Sequence, residues 1–157
     1  MIPVYTRGMN QPTIEALTSY SDEDAAALGR LMPHLSDSFD GSPVVEELLR
    51  DIIASPYHEQ LVARDETGRI VGTATLTITM GAAIGRNAWL EDFVVDPTAQ
   101  GGGIGSRLWG AMLDWCRSHS AHKLGFTSNP TRTAAHAFYL RRGAVIRDTS
   151  YFKKDVL

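Results

Sequence analysis

The stretch Gln100-Gly101-Gly102-Gly103-Ile104-Gly105 joins two segments of different hydrophobic periodicity, and the fold depends on it. Before it, residues 88–95 are rich in apolar and β-branched side chains, which predicts a strand that Asp96-Pro97 ends. After it, apolar residues recur at helical spacing over residues 104–118. Glycines let the backbone approach a ligand closely, and the N–H groups of a helix start favour an anion. The sequence therefore predicts that this glycine loop, residues 100–105, holds a diphosphate.

Two other nucleotide-binding motifs are excluded by spacing. A Walker loop requires a lysine after its last glycine, and Ser106 follows Gly105. A Rossmann fingerprint requires Gly-x-Gly-x-x-Gly, and the order Gly101, Gly103, Ser106 does not fit it. A plain glycine turn without a ligand stays open as the alternative.

Periodicity and turn residues order the other segments. Residues 1–12 are interpreted as a loose leader, and residues 13–20 as a first strand. Ser21, with Asp24 three residues later, indicates a helix start, and Pro33 ends that helix. The further predictions are a helix over 43–55, hairpin strands over 59–63 and 69–79, a Gly-rich link over 80–87, a strand over 123–127, a helix over 131–142 with Asn129 as N-cap and Gly143 after its end, and a closing hairpin at 145–146 and 151–152. This mixed α/β order, without strict βαβ alternation, is expected to form one domain over residues 1–157.

Composition restricts the class of protein. The chain has 157 residues, 43% hydrophobic and 21% charged, which is typical of one globular domain. Its net charge of −3 argues against a general nucleic-acid binder. The single cysteine, Cys116, lies on the apolar helix face and is expected in the core, and no metal site is predicted. Neither a signal peptide nor a long apolar stretch is present, so we expect a cytoplasmic protein without membrane contact.

Two motifs resemble those of the GCN5-related N-acetyltransferase (GNAT) family. The segment from Leu90 to Gly105 is similar to its acetyl-coenzyme A motif, whose pattern Arg/Gln-x-x-Gly-x-Gly/Ala is matched by Gln100, Gly103 and Gly105. The segment from Asn129 to Gly143 is similar to the family's Asn…Ala-His-x-Phe-Tyr-x-x-x-Gly-Phe pattern, with Ala144 in place of the last aromatic residue. The resemblance implies the α/β GNAT fold, a mixed, mostly antiparallel sheet of about six to seven strands flanked by about four helices.

The resemblance also implies a reaction in which acetyl-coenzyme A is the co-substrate and a primary amine attacks the thioester directly in a ternary complex. The amine arrives protonated and must lose a proton, and the thiolate that leaves gains from receiving one. Family similarity places Tyr139 near the thioester sulfur as general acid, the alternative being a core residue of its helix. Glu91 and Asp92 face opposite ways as successive strand residues, and either could take the amine proton, bind the amine, or be a strand-edge charge.

Coenzyme binding is implied for a larger set of residues. The backbone of residues 93–95 is expected to pair with the pantetheine arm, and an N–H of Phe93 or Val94 to hold the thioester oxygen. Asn129 is similar to a coenzyme-contacting asparagine, although a helix N-cap is its alternative. The implied coenzyme-binding residues are Phe93, Val94, Val95, Gln100, Gly101, Gly102, Gly103, Ile104, Gly105, Ser106, Asn129 and Phe138.

The acceptor and the partners are less constrained by the sequence. Two carboxylates beside the site favour a small cationic amine, such as an amino acid, a polyamine or an amino sugar, while a protein lysine or an N-terminus stays open. Residues 34–44, 80–88 and the C-terminal hairpin would shape the acceptor pocket, and they carry no motif. A homodimer stays open, and neither a nucleic-acid nor a membrane partner is expected. The rival functions are a non-catalytic acyl-coenzyme A sensor or partner module and a nucleotide-phosphate domain that binds ATP or NAD.

Overall fold

The computed structural model describes residues 11–157, which contain four α-helices and five strands. The helices are α1 (Asp22–Leu31), α2 (Glu46–Ala54), α3 (Ile104–Ser118) and α4 (Thr133–Leu140), and the strands are β1 (Thr13–Ala16), β2 (His58–Arg64), β3 (Ile70–Gly81), β4 (Gly85–Val95) and β5 (Leu124–Gly125). These residues divide into two compact units, a first that ends at Phe126 and a second that spans Thr127–Leu157, and each is described by itself. Most of the predicted leader lies outside the described residues.

The first unit is built on one sheet with the strand order β1-β2-β3-β4-β5. Neighbouring strands from β1 to β4 are antiparallel, and β5 runs parallel to β4. The predicted α/β class with a mixed, mostly antiparallel sheet and four helices is therefore confirmed. The described residues contain five strands, which is fewer than the six to seven expected.

The missing strands are those of the closing hairpin, for which the prediction is wrong. Residues 145–146 and 151–152 form no strand, and the side chains of Val145, Ile146, Tyr151 and Phe152 are exposed. Each apolar run has two residues, which is too few to show the alternation by which a strand can be recognised in a sequence.

The central strands are longer than predicted. Residues 80–87 are not a Gly-rich link, because β3 continues to Gly81, β4 begins at Gly85, and Met80 pairs with Arg86. Hairpin strands are held by backbone hydrogen bonds, which glycines such as Gly81 and Gly85 can also make, so the weak strand preference of glycine concealed this pairing. The strand predicted over 123–127 is shortened to Leu124–Gly125.

Helices cover both faces of the sheet. Helix α3 packs on one face, where a Cβ atom added to Gly72 of β3 would lie 3.1 Å from Cδ1 of Leu108. Helix α1 packs on the other face, where buried Leu28 joins Val62 and Val94 in one apolar cluster. The predicted start of α1 is confirmed, since the Ser21 hydroxyl accepts a hydrogen bond from the Asp24 N–H at 3.1 Å. None of the helices in residues 11–157 has the length and apolar character that a membrane span requires.

Candidate functional site

A β-bulge interrupts β4 at the two predicted acidic residues. Thr75 of β3 pairs with Glu91 and Thr73 pairs with Val94, so the single residue Ala74 lies opposite both Asp92 and Phe93. Asp92 takes a φ of +53°, in the left-handed region that favours glycine and that aspartate tolerates better than most residues. Such a conformation costs about 1 kcal/mol or more and persists where the surrounding structure imposes it.

The bulge changes which way the two carboxylates face. Alternation along a regular strand predicted that Glu91 and Asp92 point to opposite sides, and this prediction is wrong. Glu91 lies directly opposite Thr75, and Oδ2 of Asp92 lies 3.4 Å from the Oγ1 atom of the same Thr75. The extra residue of the bulge breaks the period of two, so both carboxylates lie on the α1 side of the sheet.

The two carboxylates differ in their surroundings. Glu91 is exposed and accepts a hydrogen bond of 2.7 Å from Nε1 of Trp89. Solvent also reaches the side chain of Asp92, yet protein atoms around it displace part of its hydration. This burial, together with the negative charge of Glu91, raises the pKa of Asp92. Asp92 is thus an accessible carboxylate with an increased affinity for a proton.

Three buried polar residues beneath the bulge were not predicted from the sequence. Gln60, Thr73 and Thr75 have exposed fractions of 5%, 0% and 6%. The Nε2 atom of Gln60 donates to Oγ1 of Thr73 at 2.7 Å, and Oγ1 of Thr75 donates to Oε1 of Gln60 at 3.0 Å. The one signal in the sequence was the alternation of threonines along β3, which also fits an ordinary strand.

Strands β4 and β5 are paired over a short length. The paired positions in the described residues are Ala88 with Leu124 and Trp89 with Gly125, whereas β4 continues to Val95. Trp109 of α3 contacts a ring on each side, with centroid separations of 6.4 Å to Phe93 and 6.0 Å to Phe126. This aromatic cluster lies where the two chain segments diverge, and it includes the predicted coenzyme-binding residue Phe93.

The glycine loop lies between β4 and α3, as predicted, after a short 3-10 turn at Pro97–Ala99. Gly101 and Gly103 have φ values of +91° and +74°, at which other residues are strained. A Cβ atom added to either glycine would meet no heavy atom within 4 Å in the part of the chain that the structure describes. Packing therefore does not require these glycines. Their backbone conformation does, and it leaves open space beside the first turn of α3.

The second unit carries the other predicted coenzyme residues, and the prediction for the start of its helix is wrong. Helix α4 begins at Thr133 with Arg132 as N-cap, so Asn129 is not the cap and Pro130 is not its first residue. The Oδ1 atom of Asn129 instead accepts from the N–H of Thr131 at 2.9 Å and from its hydroxyl at 2.8 Å. This is an Asx turn, in which a short polar side chain competes with the helix for a backbone N–H.

The end of α4 agrees with the prediction. Gly143 has a φ of +82°, the Ala144 N–H donates to the Tyr139 carbonyl at 3.1 Å, and the Gly143 N–H donates to the Leu140 carbonyl at 3.1 Å. These two bonds form the Schellman pattern of a helix end.

Tyr139 is a buried residue of α4. Its ring meets that of Phe138 edge to face, at a centroid separation of 5.7 Å, and the guanidinium carbon of Arg142 lies 3.6 Å from the Phe138 ring centroid. Burial raises the pKa of Tyr139, and the positive charge of Arg132 opposes that change. The phenol therefore keeps its proton at neutral pH and is able to donate it.

Cys116 of α3 is a core residue, which confirms the prediction. Its side chain is buried, and burial raises the pKa of its thiol to about 11. At neutral pH the sulfur is a thiol, so it is a poor nucleophile.

Comparison with known proteins defines the class. The model of the Acetyltransferase (GNAT) family matches residues 28–144, and the chain belongs to this family. Acetyltransferases of this family generally use acetyl-coenzyme A. The match contains the bulge, the glycine loop and α4.

Solved structures show the same fold. A proposed acetyltransferase from Agrobacterium tumefaciens is 24% identical with a TM-score of 0.75, over 91% of this chain and 99% of that one. An acetyltransferase from Trypanosoma brucei is 24% identical with a TM-score of 0.71, over 92% and 99%. Glucosamine-6-phosphate N-acetyltransferase from Arabidopsis thaliana is 21% identical with a TM-score of 0.69, over 90% and 98%. At these identities the likeness concerns the fold alone. No curated protein sequence matches this chain.

Proposed function

We propose that this protein transfers an acetyl group from acetyl-coenzyme A to the primary amine of a small cationic molecule. One observation carries the proposal. The continuous segment from β4 to α3 presents two exposed carboxylates at its bulge and, about ten residues later, an open glycine loop at a helix start. The first feature suits a protonated amine and the second suits a diphosphate.

The donor side fits a coenzyme A diphosphate. Positive φ at Gly101 and Gly103 and the open space above them allow close approach of phosphate oxygens, and the dipole of the 15-residue α3 favours their charge. We place the diphosphate against residues 100–106 and the pantetheine arm along the backbone of residues 93–95. Asn129 and Phe138 are proposed as further coenzyme contacts on the strength of the family pattern. The coenzyme supplies an activated thioester.

The acceptor side fits an amine that arrives with a positive charge. Asp92 is accessible, and its raised pKa makes it a better proton acceptor than an ordinary aspartate. We propose that Asp92 receives the amine proton and that Glu91 attracts the cation. The free amine then attacks the thioester carbon directly, without an acyl-enzyme intermediate, since the thiol of Cys116 is buried.

A panel assay tests the proposed function. Thiol release from acetyl-coenzyme A is measured with amino acids, polyamines, amino sugars with and without a phosphate, and a lysine peptide. We expect cationic small amines to be acetylated, and phosphorylated sugars to react poorly because the two carboxylates repel them. Binding of acetyl-coenzyme A without acetylation of any amine would instead favour a sensor or partner module. Preferential binding of ATP or NAD would favour a nucleotide-phosphate domain.

Tyr139 is proposed as the general acid that protonates the departing thiolate. Replacing Tyr139 by Phe retains the ring and removes the proton donor, so we expect kcat to fall by about 10- to 100-fold while the Kd for acetyl-coenzyme A stays within about twofold. Tyr57→Phe is the matched control, because Tyr57 is an exposed tyrosine immediately before β2. An unchanged kcat of the Tyr139→Phe variant with every accepted amine would exclude the acid role.

A further inference from the structure

The buried chain of side chains beneath Asp92 has a hydrogen-bond direction that can be worked out atom by atom. It begins at the backbone carbonyl of Leu61, which is only an acceptor, so the Thr73 hydroxyl at 2.7 Å must donate its proton there. Thr73 then has lone pairs and no proton left for Gln60. The Gln60 atom 2.7 Å from Thr73 must therefore be the amide nitrogen, which donates.

The orientation of Gln60 fixes the role of Thr75. With its nitrogen toward Thr73, the amide presents Oε1 to Thr75 at 3.0 Å. An amide oxygen cannot donate, so the hydroxyl proton of Thr75 is directed to Gln60. The longer separation of 3.4 Å between Thr75 Oγ1 and Asp92 Oδ2 agrees with this, since a carboxylate that received the proton would lie closer.

On the basis of the proposed function, we infer that Gln60, Thr73 and Thr75 are positioning residues that make Asp92 the base of acetyl transfer. They do so because the chain presents a lone pair of the Thr75 hydroxyl to the Asp92 carboxyl group. A protonated Asp92 can donate into that lone pair, whereas an ionised Asp92 gains little from Thr75. The chain therefore favours the state that Asp92 reaches after it takes the amine proton.

The charged groups near Asp92 do not mask the effect of Thr75 on its protonation. From its own strand, the charge that acts on it is that of Glu91. Three titratable groups of the neighbouring elements interact elsewhere among the described residues. Arg64 of β2 pairs with Asp24 of α1 and with Glu15 of β1, and the charge of His34, which follows α1, acts on Asp96. His58 of β2 lies 2.8 Å from the Ser55 hydroxyl through its Nδ1.

The Gln60→Met variant tests the direction of the chain. Methionine has nearly the same length and keeps the buried packing, but it offers Thr75 only a weak acceptor. The Thr75 proton is then free to stabilise ionised Asp92. On the acidic limb of the pH profile of kcat/KM, normalised to its plateau, we expect the rate to rise by about three- to tenfold, because the carboxylate gains a charge-assisted hydrogen bond.

The Thr75→Val variant is a second, independent test, because the direction of its pH shift depends on whether Thr75 accepts or donates. If Thr75 accepts from protonated Asp92, removing its oxygen destabilises that form and moves the acidic limb to lower pH. If Thr75 instead donates to ionised Asp92, the limb moves to higher pH and the inference is overturned. Thr77→Val is the matched control, since it makes the same change two residues along the same face of β3. Its profile should match that of the unchanged protein.

A measurement without turnover separates this inference from the proposed function. The carboxyl carbon of Asp92, identified by its loss in Asp92→Asn, is followed by NMR during a pH titration of the free protein. The titration should move to lower pH in both Gln60→Met and Thr75→Val. An unchanged or opposite titration overturns the inference even if acetyl transfer is observed. An absence of acetyl transfer with any amine, with the expected titrations, overturns the proposed function alone.

Discussion

Asp24 and Asp92 are the same residue type in two regions with opposite electrostatics. Asp24 of α1 accepts hydrogen bonds from both terminal nitrogens of Arg64, at 2.8 and 3.1 Å, and these bonds hold its pKa below the usual value. Asp92 of β4 lies beside Glu91 in a strained backbone, and burial raises its pKa. The first carboxylate joins helix α1 to strand β2. The second gains nothing from a cation in the described residues, so it stabilises the fold little and is available for a ligand.

The two aspartates also affect stability in opposite ways as pH changes. A lowered folded-state pKa means that Asp24 stabilises the fold above the ordinary aspartate pKa and that this stabilisation is lost as pH falls through its folded value. A raised folded-state pKa means that the folded chain holds the Asp92 proton more tightly. Stability is then lost as pH rises from the ordinary value through the raised one.

Asp92→Asn is expected to have the largest effect. Asparagine tolerates the left-handed conformation as aspartate does, so the bulge is retained while the base is removed. We expect kcat/KM at neutral pH to fall by about 10²- to 10³-fold. Urea unfolding should show unchanged or slightly higher stability, because an unfavourable charge is gone. Asp51→Asn, on an exposed position of α2, is the control. A loss of stability in place of activity would make Asp92 a structural residue like Asp24.

Asp24→Asn is expected to give the reverse pattern. Removing one partner leaves Arg64, a partly buried cation, with only Glu15 as an ionic partner among the described residues. We expect the free energy of unfolding at pH 7 to fall by about 1–3 kcal/mol, with kcat/KM within about twofold. The difference from the unchanged protein should shrink as pH falls through the low pKa of Asp24. A constant difference down to strongly acidic pH would show that packing, and not charge, is lost.

Two glycines allow the same distinction between a residue that serves the fold and a residue that serves the site. Gly103 of the loop and Gly68 of the β2–β3 turn both have positive φ, +74° and +85°, with open space at the Cβ position. Replacing either by alanine should cost about 1 kcal/mol of stability. Only Gly103→Ala should also weaken acetyl-coenzyme A binding, by about tenfold in calorimetric Kd, since its Cβ would occupy the proposed diphosphate site. Equal Kd values for the two variants would contradict that placement.

These pairs show why one half of the site was predictable and the other was not. The loop depends on its backbone conformation, and the positive φ values of Gly101 and Gly103 favour glycine, so the loop could be recognised in the sequence. The orientation of Asp92 depends on one extra residue in the register of β4, and no pattern along a single strand encodes that pairing. The partners of Asp92 are Thr75 and, through it, Gln60, and they lie 17 and 32 positions away in the sequence. Periodicity identified Gln60 only as a strand residue.

The Glu91→Gln variant has the smallest expected effect, and it tests whether the two carboxylates act together as one site. Glutamine keeps the acceptor for Trp89 and removes the charge. We expect KM for a cationic amine to rise by about two- to fivefold with kcat nearly unchanged, since an exposed ion pair is worth about 1 kcal/mol or less. Because the charge of Glu91 raises the pKa of Asp92, its removal should also move the acidic limb of kcat/KM to lower pH. Added salt screens the charge of Glu91, so it should raise the KM of the unchanged protein in the same way. It should have little effect on the KM of the variant. If KM and the acidic limb both stay unchanged in Glu91→Gln, then Asp92 acts without Glu91. The contrast with Asp24 is then between two single residues and not between two regions.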